Sequence, residues 1–153
     1  MITKRTLCAA AVATLASLTL STAALAQKAK AESKEDIVLG GSIPMTGVFA
    51  FAGIGVDQGI KDYLTILNEK GGIKGRKVRY VPEDTAYKVD QSMAAFKKIT
   101  SQNKVNLYYG DSTGFARTVN PELERAQSML MTGASFAKEL SDEKKYPLQF
   151  MVG

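Results

Sequence analysis

Residues 105–119 read VNLYYGDSTGFARTV. Val105, Leu107, Tyr108 and Tyr109 make a short apolar run. Gly110 to Gly114 interrupts it with small and polar residues, and an amphipathic stretch opens at Phe115. A strand that ends in a Gly-flanked turn and passes straight into a helix is the repeating unit of layered α/β folds. The same reading recurs on both sides. Upstream, 37–43 (IVLGGSI) reads as a buried strand stopped by Pro44, and 44–53 (PMTGVFAFAG) as a loop. Ile60, Leu64 and Leu67 recur at helical spacing within 54–70, and Gly71-Gly72 ends that helix. Residues 77–81 (KVRYV) alternate as a second strand, closed by Pro82-Glu83-Asp84. Residues 89–102 place Met93, Phe96 and Ile99 on one helical stripe, with Asp90 near the positive end of the dipole. Downstream of the strand at 105–109, a helix is expected over 115–127, bent or delayed by Pro121. A fourth strand over 128–132 and a further extended segment over 149–152 follow.

Alternating strands and helices predict an α/β fold with a parallel, doubly wound sheet in strand order 2-1-3-4. Ligands of such sheets bind outside the carboxyl ends of the strands, where the order reverses. That rule nominates the loops 43–53 and 110–114, then 133–137 along the edge.

Composition narrows the chemistry. The chain has 153 residues, 45% hydrophobic and 23% charged, which is globular composition. It contains no His, which excludes an internal Ser-His-Asp or Cys-His catalyst and a His-ligated metal. The one cysteine, Cys8, excludes an intrachain disulfide and a multi-cysteine zinc site. A net charge of +5 without a clustered basic face argues against a nucleic-acid partner. Residues 1–26 have the three-part grammar of a secretory signal peptide: Lys4 and Arg5, an apolar run from Leu7 to Leu20, and small residues at Ala24 and Ala26. The run is too short and too rich in Thr and Ser for a membrane span. Cys8 sits near its beginning, so it is expected to leave with the signal. Residues 27–35 read as a charged leader, and 36–153 as the folded part.

Gly110-x-Ser112-x-Gly114 matches the nucleophile elbow G-x-S-x-G in the right strand–turn–helix setting. The elbow needs a base, and no His is present, so a secreted serine hydrolase using Ser112 stays only an alternative. The preferred reading gives the hydroxyls of Ser112 and Thr113, with nearby backbone N–H groups, to an anion at a helix N-terminus. Capping of the helix by either residue is compatible with that role. Gly71 to Arg76 (GGIKGR) precedes a strand and lacks the P-loop pattern, so it reads as a tight connection and its basic residues as a solvated edge. Asp84 ends the second strand. A single carboxylate makes no metal site, and capping is its expected work. Phe49 and Phe51 alternate in the loop at the switch point, where apolar walls suit a small ligand. No cofactor is expected.

At these residues the chain resembles the periplasmic substrate-binding proteins of ABC transporters, of the branched-chain amino-acid (leucine/isoleucine/valine-binding) type. The resemblance is carried by IVLGGSIPMTG at 37–47 with Phe49 to Gly53, by NEKGGIKGRK at 68–77, by Asp84 and Tyr87, by the 110–114 loop, and by Ala134 through Leu140. It covers residues 36–153, and the N-x-x-GGI-x-G-R segment is its most specific part. It implies the type I periplasmic binding protein fold, two lobes closing on a small ligand that is delivered to a membrane permease. On that resemblance Thr113, with Ser112 beside it, holds the ligand carboxylate, and the Ala134 carbonyl meets its ammonium. The hydroxyl the family adds there falls on Phe136, which has none, and Ser135 is the substitute. An aromatic or other small organic carboxylate therefore stands beside an amino acid as ligand. The side-chain pocket maps near Phe49, Phe51 and Ala52. Residues 36–153 would be an incomplete N-terminal lobe, from a fragment or a truncated gene product. The resemblance makes the protein a periplasmic importer component and not an enzyme. A ligand-sensing receptor module on the same fold is the second alternative.

Overall fold

The computed structural model describes residues 35–126, 129–134 and 137–152. The expected signal peptide (1–26) and the leader as far as residue 34 lie outside the described residues, as do Ser135 and Phe136. Five strands form one parallel sheet: β1 (Ile37–Ile43), β2 (Val78–Asp84), β3 (Leu107–Gly110), β4 (Leu130–Ala134) and β5 (Gln149–Val152). Their order is β2-β1-β3-β4-β5, which contains the expected 2-1-3-4 and adds the extended segment at the chain's end. Helices α1 (Ala50–Glu69), α2 (Val89–Gln102) and α3 (Thr113–Ala126) connect the first four strands, and a short 3₁₀ turn, Lys138–Ser141, precedes β5. Among the described residues no helix is long and apolar enough to cross a membrane.

Successive side chains of a strand point to opposite faces, and the two faces of this sheet are used differently. Val38, Tyr108 and Met131 face α2 and α3 and join Phe96, Ile99, Phe115, Val119 and Leu123 in the main core. Its centre is an aromatic trio. Phe96 meets Tyr108 edge-on with ring centroids 5.0 Å apart, and Phe115 lies 5.9 Å from Tyr108. Such pairs add to the stabilisation that buried area alone supplies. The other face carries Leu39 and Leu107 beneath α1, which packs on β1 and β2. Further along that face Leu130 and Phe150 are 48% and 44% exposed, so α1 covers only the β2 side of the sheet.

Element boundaries differ from the sequence reading by two or more residues in five places. β3 opens at Leu107 and not at Val105. The first helix begins at Ala50 and not at Ile54, so Phe51 to Gly53 belong to its first turn. Gly53 reads as a loop residue but serves close packing: a Cβ there would stand 2.1 Å from the Pro44 carbonyl oxygen. β2 runs on through Pro82 to Asp84. It is the edge strand, where a proline's missing N–H can face away from the ladder. α3 begins at Thr113 and continues through Pro121. Burial of Phe115, Ala116, Val119 and Leu123 along one side outweighs the lost hydrogen bond. β4 lies two residues later than expected, because Leu130 pairs with Leu107 in the register that puts Met131 in the core.

The Gly53 contact is with rigid backbone, so Gly53→Ala is expected to cost about 1–3 kcal/mol through overpacking, even though alanine is the better helix former. A lower denaturation midpoint in urea is the expected outcome. A midpoint equal to or above the wild type would show that Pro44 and α1 can separate freely.

Candidate functional site

The carboxyl ends of β1, β2 and β3 lie side by side, and three connections leave them: 44–49, 85–88 and 111–112. Asp84 ties the first two together. Its carboxylate accepts N–H bonds from Met45 (2.8 Å), Thr46 (3.1 Å) and Ala86 (3.1 Å), and an O–H bond from Thr46 (2.7 Å). What burial Asp84 has works against its ionisation. The Thr46 hydroxyl and the backbone donors outweigh it and hold the carboxyl below its usual range. Capping is thus its observed role. The connection after Asp84 is strained. Ala86 and Tyr87 have φ of 47° and 62°, a left-handed conformation that costs non-glycine residues about 1–2 kcal/mol each. The result sets the Tyr87 ring against Phe49 at a centroid distance of 4.1 Å.

The third connection is built on a buried carboxylate. Asp111 is 6% exposed. It accepts the Thr85 hydroxyl and lies 3.1 Å from the Ser92 hydroxyl through either oxygen. Burial pushes its carboxyl above the ordinary value, and the hydroxyls of Thr85, Ser92 and Ser112 oppose that shift. Tyr109 is raised as well, by burial and then by the charge of Asp111. Ser112 is buried, and its Oγ accepts the Phe115 N–H at 3.2 Å, the geometry of an N-cap.

Between these connections lies a cavity of about 270 Å³. Pro44, Phe49, Ala52 and Val56 line it together with Tyr87, Tyr109, Asp111 and Thr113. It is mostly apolar, with a few polar groups at the start of α3, the usual make-up of a small-molecule site. A larger apolar groove, about 570 Å³, runs under α1 along Leu39, Leu64 and Leu107. It reaches the amino ends of the strands at Ile37 and Val78, the wrong end of a doubly wound sheet for a ligand. Among the described residues no group of three or more Cys, Asp or Glu could hold a metal.

Of the residues singled out in the sequence, Phe49, Ala52 and Thr113 line the cavity. Phe51 is 79% exposed and stacks beside Phe49 at 6.0 Å without lining it. Ser112 lies beneath as the cap. Ala134 ends β4, and Ser135 and Phe136 lie outside the described residues. Pro44, Gly53, Val56, Tyr87, Tyr109 and Asp111 also line the cavity, and sequence reasoning gave none of them a site role. Asp111 had a signal, a charge at the end of an apolar strand, but its burial is decided by Thr85 and Ser92, far away in the chain.

A family model described as periplasmic binding protein matches residues 36–153. No curated protein matches the sequence. Among solved structures, the branched-chain amino acid transporter substrate-binding protein of Streptococcus pneumoniae, in complex with isoleucine, is similar with a TM-score of 0.68 and 19% identity over 76% of this chain. An extracellular ligand-binding receptor of Verminephrobacter eiseniae has a TM-score of 0.65 and 26% identity over 76% of the chain. An ABC-transporter solute-binding protein of Rhodopseudomonas palustris, in complex with 3,4-dihydroxybenzoic acid, has a TM-score of 0.65 and 23% identity, again over 76%. The chain spans about a third of their length: 33%, 33% and 31%.

Asp84→Asn keeps an acceptor but removes the charge, and is expected to cost about 1 kcal/mol at neutral pH. A depressed carboxyl contributes above its ordinary value of 3.8 and loses that contribution as pH falls toward the folded-state value. Urea titrations of both proteins at pH 7 and pH 3 should show the stability gap closing at the lower pH. An unchanged gap would place the effect elsewhere than in the charge.

Proposed function

The chain belongs to the periplasmic binding protein family, of the ABC-transporter substrate-binding type, and from that premise we propose that it is the exported solute-binding component of an ABC importer. Its ligand is an amino acid or a related small organic carboxylate, and its partner is the membrane permease. The observation that carries this reading is the cavity at the switch point, with α3 starting at its edge. The Thr113 hydroxyl and the first N–H groups of α3 would hold the ligand carboxylate, since a helix N-terminus combines unpaired donors with a positive dipole end. Phe49 and Ala52 would wall its apolar part, with Phe51 beside them at the rim. The Ala134 carbonyl and Ser135 would take the ammonium, and Phe136 would stand where the family places a hydroxyl. Residues 36–153 would act as the N-terminal lobe, with affinity arising when a second lobe closes over the cavity and excludes water. Residues 1–26 would direct the chain to the periplasm and be removed.

Binding, rather than acyl transfer, is supported at Ser112. A capping hydroxyl that accepts an N–H and is buried is poorly presented as a nucleophile, and the chain has no His to serve as its base.

Thr113→Ala should weaken ligand binding roughly 10- to 100-fold, the worth of a hydrogen bond to a charged group, with little change in thermal unfolding. Isothermal calorimetry measures this directly, and unchanged affinity would remove Thr113 from the site. Phe136→Thr should move the preference toward α-amino acids in a thermal-shift series. An unaltered ranking would mean that position 136 does not set selectivity.

A further inference from the structure

The apolar wall of the cavity does not stop at Phe49 and Ala52. Val56 lines the cavity and also the larger groove under α1. The two spaces meet along one stripe of the helix. Ala52, Val56, Gly59, Ile60, Tyr63 and Leu67 recur at three- and four-residue spacing, so they share a face of α1. β3 repeats the arrangement. Tyr109 lines the cavity, and Leu107, two residues back on the same face of the sheet, lines the groove. Cavity and groove thus form one trough between α1 and β3. From Ala52 to Leu67 it follows the helix for roughly 22 Å, at 1.5 Å per residue.

The two ends of the trough differ in chemistry. Thr113 and the start of α3 stand at the cavity end, where Asp111 has its carboxylate held by Thr85, Ser92 and Ser112. Along the groove the lining contains no Asp, Glu, Lys or Arg among the described residues. Tyr63 and Val56 there are nevertheless 65% and 36% exposed, and contiguous apolar surface left to water marks a place where something binds. The groove is at the wrong end of the sheet for a head group, but hydrocarbon needs no directed partner and can lie anywhere it is dry. A small acid would fill only the cavity end. A protein element seated in the groove would have no use for the passage at Val56. A tail anchored by its head in the cavity must run through it.

We propose that the trough binds an unbranched long-chain carboxylate, with its head at the start of α3 and its alkyl chain running past Val56 along α1. This rests on the reading of the cavity as the solute site and extends it beyond small ligands. The head group is placed by Thr113 and the first N–H groups of α3. Chain length is then read by how far the tail follows Gly59, Ile60 and Tyr63 toward Leu67.

Calorimetry on the full chain with butanoate, octanoate, dodecanoate and hexadecanoate, each below its micelle-forming concentration, tests this. The methyl ester of dodecanoate serves as the head-group control. Affinity should keep rising past octanoate, by up to about 4-fold for each methylene the trough buries. Ile60→Glu puts a charge on the wall of the trough and should cut the ratio of dodecanoate to octanoate affinity by roughly 10-fold or more. Gly59→Glu serves if Ile60→Glu does not fold, since a Cβ at Gly59 meets nothing within 4 Å. Ile66→Glu, on the same helix but outside the trough, should leave that ratio unchanged. Affinity that levels off at octanoate would overturn the proposal and leave the carboxylate reading of the cavity intact. A rise with chain length that neither trough variant reduces would be adsorption on other apolar surface, such as Leu130 and Phe150, and would overturn it as well. An ester binding as tightly as its acid would overturn the head-group placement and with it the choice of a carboxylate. A dimer in sedimentation that Ile60→Glu dissociates would give the groove to a second copy of the chain and overturn the proposal. No binding of any acid would overturn both readings.

Discussion

Tyr108 must bury its ring at the centre of the sheet, and its hydroxyl must find a partner there. Both needs are met by β1. The ring packs where Gly40 has no side chain, since a Cβ there would stand 2.7 Å from the tyrosine ring. The hydroxyl lies 2.8 Å from Ser42 Oγ, two residues further along the same face of β1. A buried phenol without a partner would cost 1–3 kcal/mol, so the pairing opposes any slip between the strands. Gly40 stands opposite Tyr108 in the parallel ladder, and that register brings the carboxyl ends of β1 and β3 together. The cavity lies just beyond those ends.

Everything at the cavity is then held by short polar links across long sequence separations. Asp84 fastens the connection after β1 to the one after β2, and Asp111 fastens the connection after β3 to Thr85 and Ser92. The two carboxylates are opposite cases. Asp84 is exposed and rich in donors, so its charge favours the folded state. Asp111 has several donors too, but it is buried, and burial outweighs them, so its charge is tolerated at a cost.

Much of this fold was legible. Apolar periodicity is a local property, and it located every strand and all three long helices. The strand order followed from handedness and short connections. Boundaries failed where a distant contact decided them. Ala50 enters α1 because Gly53 can pack on the Pro44 carbonyl, and Pro82 stays in β2 because that strand is at the edge. At the site, glycine punctuation drew attention to the loops holding Phe49, Ala52 and Thr113. Tyr87 gave no comparable signal, because Ala-Tyr is not a dipeptide that advertises a left-handed backbone.

By itself the sequence determined a parallel α/β sheet, the end of it at which a ligand would sit, and the chemistry excluded by the lack of His. It could do so because strand and helix periods, turn residues and residue counts need no knowledge of neighbours. Only the tertiary structure decided that Ser112 is a cap, that Tyr87 stacks on Phe49, and that Asp111 is buried beside them. Burial and pairing are sums over residues remote in the chain, and no local pattern carries them.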